Sequence, residues 1–286
     1  MDGKAIDVKG VHYSYGQTRA VNGISFDVNR GEVMGFLGPN GAGKSTTIKM
    51  LTGMLTPQGG AVHLLGMDVT RHRKEIQARI GVCFEEKNLY LNMSGIENLE
   101  FFAKLFGIKG YDATTALKRV GLGERGKERV KRYSKGMRQR LMVARALVNS
   151  PDVLFLDEPT DGLDPVSSRA IRALIKQEAE RGAAVFLTTH DMYEADQLSD
   201  RVAFLNEGEI VALDTPENLK LEHGQRAVRV RVREASGVDE RVLPLDGGTA
   251  GDELKRAVTS PGLMTIHTEE ATLEDIFVKL TGRGLT

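Results

Sequence analysis

The feature that most constrains this chain is a glycine-rich run ending in a lysine and two hydroxyl residues. It fits the pattern G-x-x-x-x-G-K-[ST] and consists of Gly38, Pro39, Asn40, Gly41, Ala42, Gly43, Lys44, Ser45 and Thr46. An apolar stretch at 33–37 precedes the run, and a segment predicted as a helix at 45–55 follows it. A strand, a loop and a helix in this order form the context in which the pattern builds a phosphate-binding loop. The flanking elements disfavour the alternative, a glycine-rich turn beside a surface lysine.

The chemistry of such a loop follows from its residue types. Glycines let backbone N–H groups turn toward phosphate oxygens, and the first turn of the helix adds partial positive charge. Lys44 is placed to reach the outer phosphates, and the Ser45 hydroxyl is placed to bind Mg²⁺. The sequence therefore predicts a site for a nucleoside triphosphate with Mg²⁺, and this motif alone does not select one family.

Two carboxylates end a later apolar stretch. Asp157 and Glu158 follow the predicted buried strand at 153–156. A nucleotide site of this kind needs a carboxylate near the metal, so we predict that Asp157 holds Mg²⁺ directly or through water. Glu158 is then predicted to polarise the attacking water as a general base. Taken alone, the pattern is also typical of a strand that runs into an acidic turn.

A third segment resembles a known family. Residues 133–140, at the start of a predicted helix at 135–149, are similar to the LSGGQ-x-QR signature of ABC transporter ATP-binding subunits. The resemblance covers about residues 5–220, and it implies that Ser134 and Gly136 touch the γ-phosphate of ATP. A serine cap of a basic helix is a second interpretation, compatible with the first because a cap and an anion site use the same groups. The signature positions that depart from the family are Tyr133, Lys135 and Met137.

The same resemblance implies roles for residues outside these motifs. Tyr15 matches the aromatic residue that stacks on adenine, with Tyr13 as the alternative. His190, after the predicted strand at 185–189, matches the histidine that contacts the γ-phosphate during catalysis.

Two loops depart from the family pattern. Asp164 matches the end of the D-loop, whereas Asp161 stands where serine is frequent. Glu85 stands where glutamine is usual. A Glu85 carboxylate can bind Mg²⁺ or water through oxygen, but it lacks the amide's donor.

The resemblance implies an α/β fold of the P-loop NTPase class, ABC type. Its expected parts are a mixed sheet, an antiparallel β subdomain and a helical subdomain at about 88–150. We predict an ATP-binding domain at 1–221 and a small C-terminal α+β domain at 222–286. In the latter, Val228, Val230 and Val232 alternate with arginines, which indicates a half-exposed strand.

Composition limits the possible partners and compartment. The 286 residues contain 39 Lys plus Arg and 39 Asp plus Glu, so no overall charge attracts nucleic acid. No segment approaches the roughly 20 apolar residues that a spanning helix needs. The single cysteine, Cys83, excludes an internal disulfide and fits a reducing compartment. We therefore expect a cytoplasmic protein, peripheral on the inner face of the cell membrane.

The predicted function is ATP hydrolysis that powers a transporter through ATP-driven dimerisation. The expected partners are a second copy of the chain and an integral membrane permease, and nucleic acid is not expected. Residues 273–282 are similar to the tail of ABC-2 type exporter ATPases, which favours export and an ABC-2 type permease. Tyr90, Leu91 and Met93 are predicted to contact the permease, whereas Leu99, Phe102 and Phe106 are assigned to the core.

The alternative is a soluble ABC-type ATPase that acts on the ribosome or nucleic acid. Such proteins usually carry two cassettes or a long coiled-coil insert, and neither is present in this sequence. A GTPase is disfavoured because an [NT]-K-x-D motif for guanine is absent.

Overall fold

The structure is a computed structural model that describes residues 3–84, 88–224, 227–234, 237–244, 250–269 and 271–282. The chain forms two compact units that divide between Leu213 and Asp214. The boundary predicted from the sequence follows residue 221. In the structure, the helix Pro216–His223 belongs to the second unit.

The first unit alternates strands and helices. Its strands are β1 (Lys4–Tyr15), β2 (Thr18–Asn29), β3 (Val33–Leu37), β4 (Gly59–Leu64), β5 (Met67–Asp68), β6 (Ile80–Cys83), β7 (Val153–Asp157), β8 (Ala184–Thr189), β9 (Arg201–Asn206) and β10 (Glu209–Asp214). Its helices are α1 (Lys44–Leu51), α2 (Arg73–Gln77), α3 (Gly95–Leu105), α4 (Ala113–Arg119), α5 (Lys135–Ala146), α6 (Pro165–Glu180) and α7 (Met192–Leu198). Two short 3-10 turns, Gly123–Arg125 and Val130–Arg132, lie before α5.

Two sheets give the first unit its shape. Strands β1, β2, β4 and β5 form an antiparallel sheet in the order β2-β1-β4-β5. The second sheet has the order β10-β9-β3-β8-β7-β6, and β6, β7, β8, β3 and β9 are parallel neighbours. Its central strands β3, β7 and β8 are buried along their whole length, as the continuous apolar runs in the sequence require of a sheet covered on both faces.

The strand order brings the sequence motifs to one end of the parallel sheet. Because β3, β7 and β8 are adjacent and parallel, the segments that follow them emerge at the same end of the sheet. These segments contain the glycine-rich run, the Asp157–Glu158 pair and His190. The rings of Phe36 and Phe186 pack beneath this edge with centroids 5.1 Å apart.

Helices α3, α4 and α5 form the predicted helical subdomain. Ser94 begins α3 through a capping box with Glu97, and the buried Leu99, Leu117 and Leu141 join the three helices in one apolar cluster. Assignment of Phe106 to the core was wrong: it ends α3 with 41% of its surface exposed, because it lies beyond the buried face of the helix. Helix α5 ends at Ala146, earlier than predicted, because the N–H groups of Leu147 and Val148 bond to carbonyl oxygens three residues back and not four.

The second unit is an α+β fold. It comprises α8 (Pro216–His223), β11 (Ala227–Glu234), β12 (Gly237–Pro244), α9 (Ala250–Val258), β13 (Leu263–Glu269) and α10 (Leu273–Thr281). The three strands are antiparallel in the order β12-β11-β13. Val228, Val230 and Val232 are buried in one cluster, whereas Arg231 on the other face is exposed and pairs with Glu240. Along the described ranges, no helix is both long and apolar enough to cross a bilayer.

Candidate active site

A cavity of about 320 Å³ opens at the C-terminal ends of β3, β7 and β8. It brings together residues that lie more than a hundred positions apart in the chain. The lining residues are Ala20, Pro39, Asn40, Gly41, Gly43, Lys44, Ser45, Thr46, Asp157, Glu158, Asp161 and His190. Most predicted phosphate, metal and catalytic residues therefore face one space.

The glycine-rich loop needs its glycines for backbone reasons. Gly41 and Gly43 have φ of 82° and 109°, a region that other residues rarely adopt. A Cβ on Gly43 would also lie 2.3 Å from the carbonyl oxygen of Ala20. Helix α1 begins at the next residue without a side-chain cap. Its first N–H groups therefore suit an anion.

Lys44 is nearly buried, with 6% of its surface exposed. Its Nζ donates to the carbonyl oxygens of Gly38 at 2.6 Å and Pro39 at 3.3 Å. The same Nζ lies 3.8 Å from Oε1 of Glu158. These contacts hold the ammonium group inside the cavity, where a phosphate oxygen can replace the backbone partners.

Asp157 and Ser45 offer oxygen ligands to the same cavity. Asp157 ends β7 and is 3% exposed, and one of its carboxylate oxygens accepts a hydrogen bond from Thr188 Oγ1. In the part of the chain described, no three His, Cys, Asp or Glu residues gather as a metal site. Mg²⁺ in phosphate sites is commonly held by one or two protein oxygens together with phosphate and water. Ser45 and Asp157 fit that arrangement.

Glu158 lies on an unusual backbone. Its φ is 49°, a left-handed conformation that costs a non-glycine residue about 1–3 kcal/mol. The N–H donates to the carbonyl oxygen of Thr188 at 3.1 Å, and Oε2 lies 3.0 Å from His190 Nδ1. The observed turn therefore aims the carboxylate at the cavity between His190 and Lys44.

Burial changes the acidity of Glu158. Removal from water raises the pKa of its carboxyl above the usual range, and the nearby His190 and Lys44 oppose that rise. A raised pKa makes a carboxylate a stronger proton acceptor near neutral pH. The position and the pKa of Glu158 thus both suit a general base.

The predicted signature residues lie outside the cavity lining. Ser134 caps α5 by accepting from the N–H of Met137 at 3.2 Å, and its side chain is exposed. Gly136 packs close to Leu163, whose Cδ2 would lie 3.1 Å from a Cβ at this glycine. Both interpretations of Ser134 remain compatible, because the cap leaves the helix N-terminus facing solvent.

Three other predicted residues differ in their placement. Asp164 caps α6 by accepting from Ser167 N–H at 3.0 Å, and Tyr15 is 48% exposed at the end of β1, stacked edge-on against Tyr13 at 5.0 Å. Neither belongs to the cavity lining. Glu85 lies outside the described residues.

One departure from the signature pattern, Lys135, contacts the departure from the D-loop pattern, Asp161. Lys135 Nζ lies 2.7 Å from Asp161 Oδ2, and its side chain crosses Gly162, where φ is 66°. The charge of Asp161 is therefore balanced within the chain. Sequence reasoning noted each residue separately but did not join them.

Sequence reasoning also missed the residues that support the site from beneath. Thr188 binds both the Asp157 carboxylate and the Glu158 backbone, and Glu194 accepts from Thr160 Oγ1 at 2.6 Å and Thr189 Oγ1 at 3.2 Å. The sequence does contain a signal for these supporting residues. Thr188 and Thr189 end an apolar strand, and the acidic Glu194 follows in a helix with apolar neighbours.

The fold and cavity together define a P-loop nucleoside triphosphatase. A parallel sheet presents a glycine-rich loop at a helix N-terminus, with a buried lysine and two adjacent carboxylates, Asp157 and Glu158, around one space. The predicted fold class is confirmed.

Comparisons with known proteins narrow this class. Residues 21–161 match the ABC transporter family. A fluoroquinolones export ATP-binding protein of Mycobacterium tuberculosis is 44% identical over 99% of this chain and 95% of its own length. A daunorubicin/doxorubicin resistance ATP-binding protein of Streptomyces peucetius is 36% identical over 98% and 93%.

Solved structures agree with these relatives. The ATP-binding subunit of an ABC transporter has a TM-score of 0.72 at 28% identity, covering 77% of this chain and 93% of that one. A dimeric ATP-binding cassette in a post-hydrolysis state with ADP and phosphate has a TM-score of 0.67 at 27% identity, covering 73% and 98%. The chain belongs to the ABC transporter family, as one of its ATP-hydrolysing, ATP-binding subunits. The predicted family and enzyme class are confirmed, and the soluble alternative is not favoured.

Proposed function

We propose that two copies of this chain close around two Mg²⁺–ATP molecules and power a membrane exporter. The observation that supports this most is the separation of the nucleotide residues into two places. Lys44, Asp157 and Glu158 line one cavity, whereas Ser134 and Gly136 stand outside it on an exposed helix N-terminus. A second copy that presents its α5 to this cavity would complete the site.

Within the cavity, each side chain has a distinct task. Lys44 and the N–H groups of α1 bind the phosphates, and Ser45 and Asp157 would hold Mg²⁺, whose charge offsets that of the phosphates. Glu158 accepts a proton from the water whose oxygen attacks the γ-phosphorus. The bond from that phosphorus to the bridging oxygen breaks, and ADP leaves with the oxygen. His190 orients the Glu158 carboxylate and contacts the transferred phosphoryl group.

Closure and opening of the dimer follow from the γ-phosphate. Bound ATP offers this group to Ser134 and Gly136 of the second copy, whereas ADP does not. A ligand shifts a conformational equilibrium only by its differential affinity for the two states. ATP therefore favours the closed dimer, and hydrolysis reopens it. Asp164 lies on the loop that would face the second copy, and Tyr15 would stack on adenine at the cavity entrance.

The membrane partner in this proposal is a permease of the ABC-2 type, with this chain on the inner face of the cell membrane. Export is favoured by the names of relatives, which include fluoroquinolones export and Nod factor export ATP-binding proteins. A groove of about 530 Å³ between β6 and α3 offers the contact surface. Exposed Tyr90 and Phe106 line it, and Leu91 is exposed beside them.

Light scattering tests the dimer directly. Glu158→Gln should dimerise with Mg²⁺–ATP, because slow hydrolysis keeps the γ-phosphate in place, and should remain monomeric with ADP. Adding Ser134→Arg should prevent the dimer by steric conflict while nucleotide binding survives. The same three measurements are then repeated with the co-purified membrane partner. If the ATP-binding subunits fail to associate under all three conditions in both series, the closed dimer with two bound ATP molecules is excluded.

A further inference from the structure

Glu158 needs outside support to keep its backbone conformation. A residue at a φ of 49° persists only when its surroundings hold it there. Its N–H is held by Thr188 on β8, as described above. Its carbonyl oxygen accepts from the N–H of Asp161 at 3.3 Å, within the same loop, and from a side chain of the helical subdomain.

That side chain is Gln139 on α5. Its Nε2 donates to the carbonyl oxygen of Glu158 at 3.3 Å, and the residue is 3% exposed. The same Nε2 lies 3.9 Å from Cys83 Sγ. Sulfur is a weak acceptor, so the carbonyl oxygen of Glu158 is the stronger partner of this buried amide. A buried amide that loses its partner is costly, which keeps the bond formed.

We infer that Gln139 is a positioning residue, which fixes the Glu158 peptide so that the carboxylate points at the attacking water. The inference rests on the proposed role of Glu158 as general base. Gln139 lies about one turn beyond the Ser134 cap on the same rigid helix. Helix α5, whose N-terminus would contact the ATP of the second copy, is therefore also hydrogen-bonded to Glu158 of its own chain.

Loss of this bond should leave ATP binding intact, because Gln139 is not among the residues that line the cavity around Lys44 and Ser45. It permits the Glu158 peptide to rotate, and a displacement of about 1 Å at a reacting group can lower a rate 100-fold. The expected signature is a fall in kcat without a change in nucleotide affinity. A merely structural role would instead lower thermal stability and nucleotide affinity together.

The first test replaces Gln139 with residues of similar length that lack the donor. Gln139→Met and Gln139→Glu should each lower kcat by about 10- to 100-fold. The Kd for a fluorescent ATP analogue should match that of the wild type in both variants. The melting temperature should match in Gln139→Met, whereas Gln139→Glu buries a carboxyl group and should melt lower. Two controls make the comparison sharp. Gln177→Met places the same change on the exposed face of α6, and Cys83→Ala removes the other neighbour of the amide. Both controls should keep wild-type kcat.

A double-mutant cycle shows whether Gln139 acts through Glu158. Residues that act as one unit give non-additive losses. Adding Gln139→Met to Glu158→Gln should therefore leave the residual turnover unchanged. A full additional loss, a wild-type kcat in both Gln139 variants, or an equal loss in Cys83→Ala would each overturn the inference. Wild-type turnover in Glu158→Gln alone would instead overturn the catalytic role of Glu158.

Discussion

Two helix N-termini in this molecule suit an anion, and they are built differently. Helix α1 begins at Lys44 without a side-chain cap, inside a cavity with a buried lysine and three carboxylates. Helix α5 begins after Ser134, whose hydroxyl already accepts from the first turn, and it faces solvent. The first N-terminus leaves its donors to a ligand, whereas the second satisfies one donor by itself.

The two N-termini would contribute unequally to the proposed dimer. We call the α1 cavity the complete site, because one chain supplies all of its groups, and the α5 N-terminus the half site. In the proposed function, the α1 cavity supplies the groups that bind phosphate and activate water. The α5 site lacks a lysine held in a pocket or a base beside it, so it can only add to a site supplied from elsewhere. A nucleotide should therefore bind the first site in the monomer and meet the second only in a dimer.

The largest expected effect tests the complete site. Glu158→Gln removes the proton acceptor but keeps the shape, so kcat for ATP should fall by at least about 100-fold. Glu207→Gln is a matched control, because Glu207 is exposed in the β9–β10 turn with the same φ of 49°. Steady-state phosphate release measures both variants. Turnover near the wild-type level in Glu158→Gln would remove Glu158 from catalysis.

The next effect separates the two roles of Ser134. Asp and Asn cap helices about as well as Ser, so Ser134→Asp and Ser134→Asn should both melt near the wild-type temperature. Only the aspartate would place negative charge against a phosphate of the second copy. We expect Ser134→Asp to lower turnover by about 100-fold and to prevent ATP-driven dimerisation, with a smaller loss in Ser134→Asn. Wild-type turnover in both variants would assign Ser134 to capping alone.

A smaller effect concerns Glu194, which supports the loops beneath the complete site. Burial raises the pKa of its carboxyl above the ordinary value of 4.5. Below pH 4.5 the group is protonated in both folded and unfolded chains, and the cost of a buried charge is absent. That cost grows as the pH rises from 4.5 through the raised pKa.

Glu194→Gln stays neutral. Its amide oxygen can accept from Thr160 Oγ1, and its amide N–H can donate to Thr189 Oγ1. It should therefore melt higher than the wild type at pH 8, by about 2–4 °C for each kcal/mol relieved. The gap should close as the pH falls toward 4.5. Thermal melts of both proteins between pH 4.5 and pH 8 measure this difference in melting temperature. A difference that grows as the pH falls would contradict a raised pKa for Glu194.

The smallest effect is expected from removal of the second unit. Helices α1 and α5 both lie in the first unit, where their buried residues join its apolar clusters. A fragment that ends at Asp214 should bind ATP within about twofold of the full chain, or about 0.4 kcal/mol. Titration of a fluorescent ATP analogue measures this. Loss of binding in a folded fragment would show that the second unit helps to build the site.

The sequence predicts the complete site well because its groups are local. The loop before Lys44 is one continuous motif, and Asp157 and Glu158 are neighbours at the end of an apolar strand. Adjacent parallel strands then bring these segments to one edge, which the alternation of strands and helices already indicated. The half site was found only through family resemblance, since a serine before a basic helix is a common cap.

Long-range contacts account for what the sequence did not reveal. The bond from Gln139 to Glu158 and that from Thr188 to Asp157 join residues far apart in the chain, and no local pattern predicts them. The left-handed backbone of Glu158 was equally hidden, because glutamate shows no preference for it. The Lys135–Asp161 ion pair could not be predicted without knowing that α5 lies against the loop between β7 and α6.

The backbone of Glu158 has a consequence for the evolution of this fold. A glycine would adopt the observed φ without strain, so replacing the glutamate with glycine should yield a more stable but inactive protein. Selection for stability alone therefore favours the loss of this residue. Stability alone therefore does not account for a glutamate at this strained turn, whereas the proposed role in turnover does.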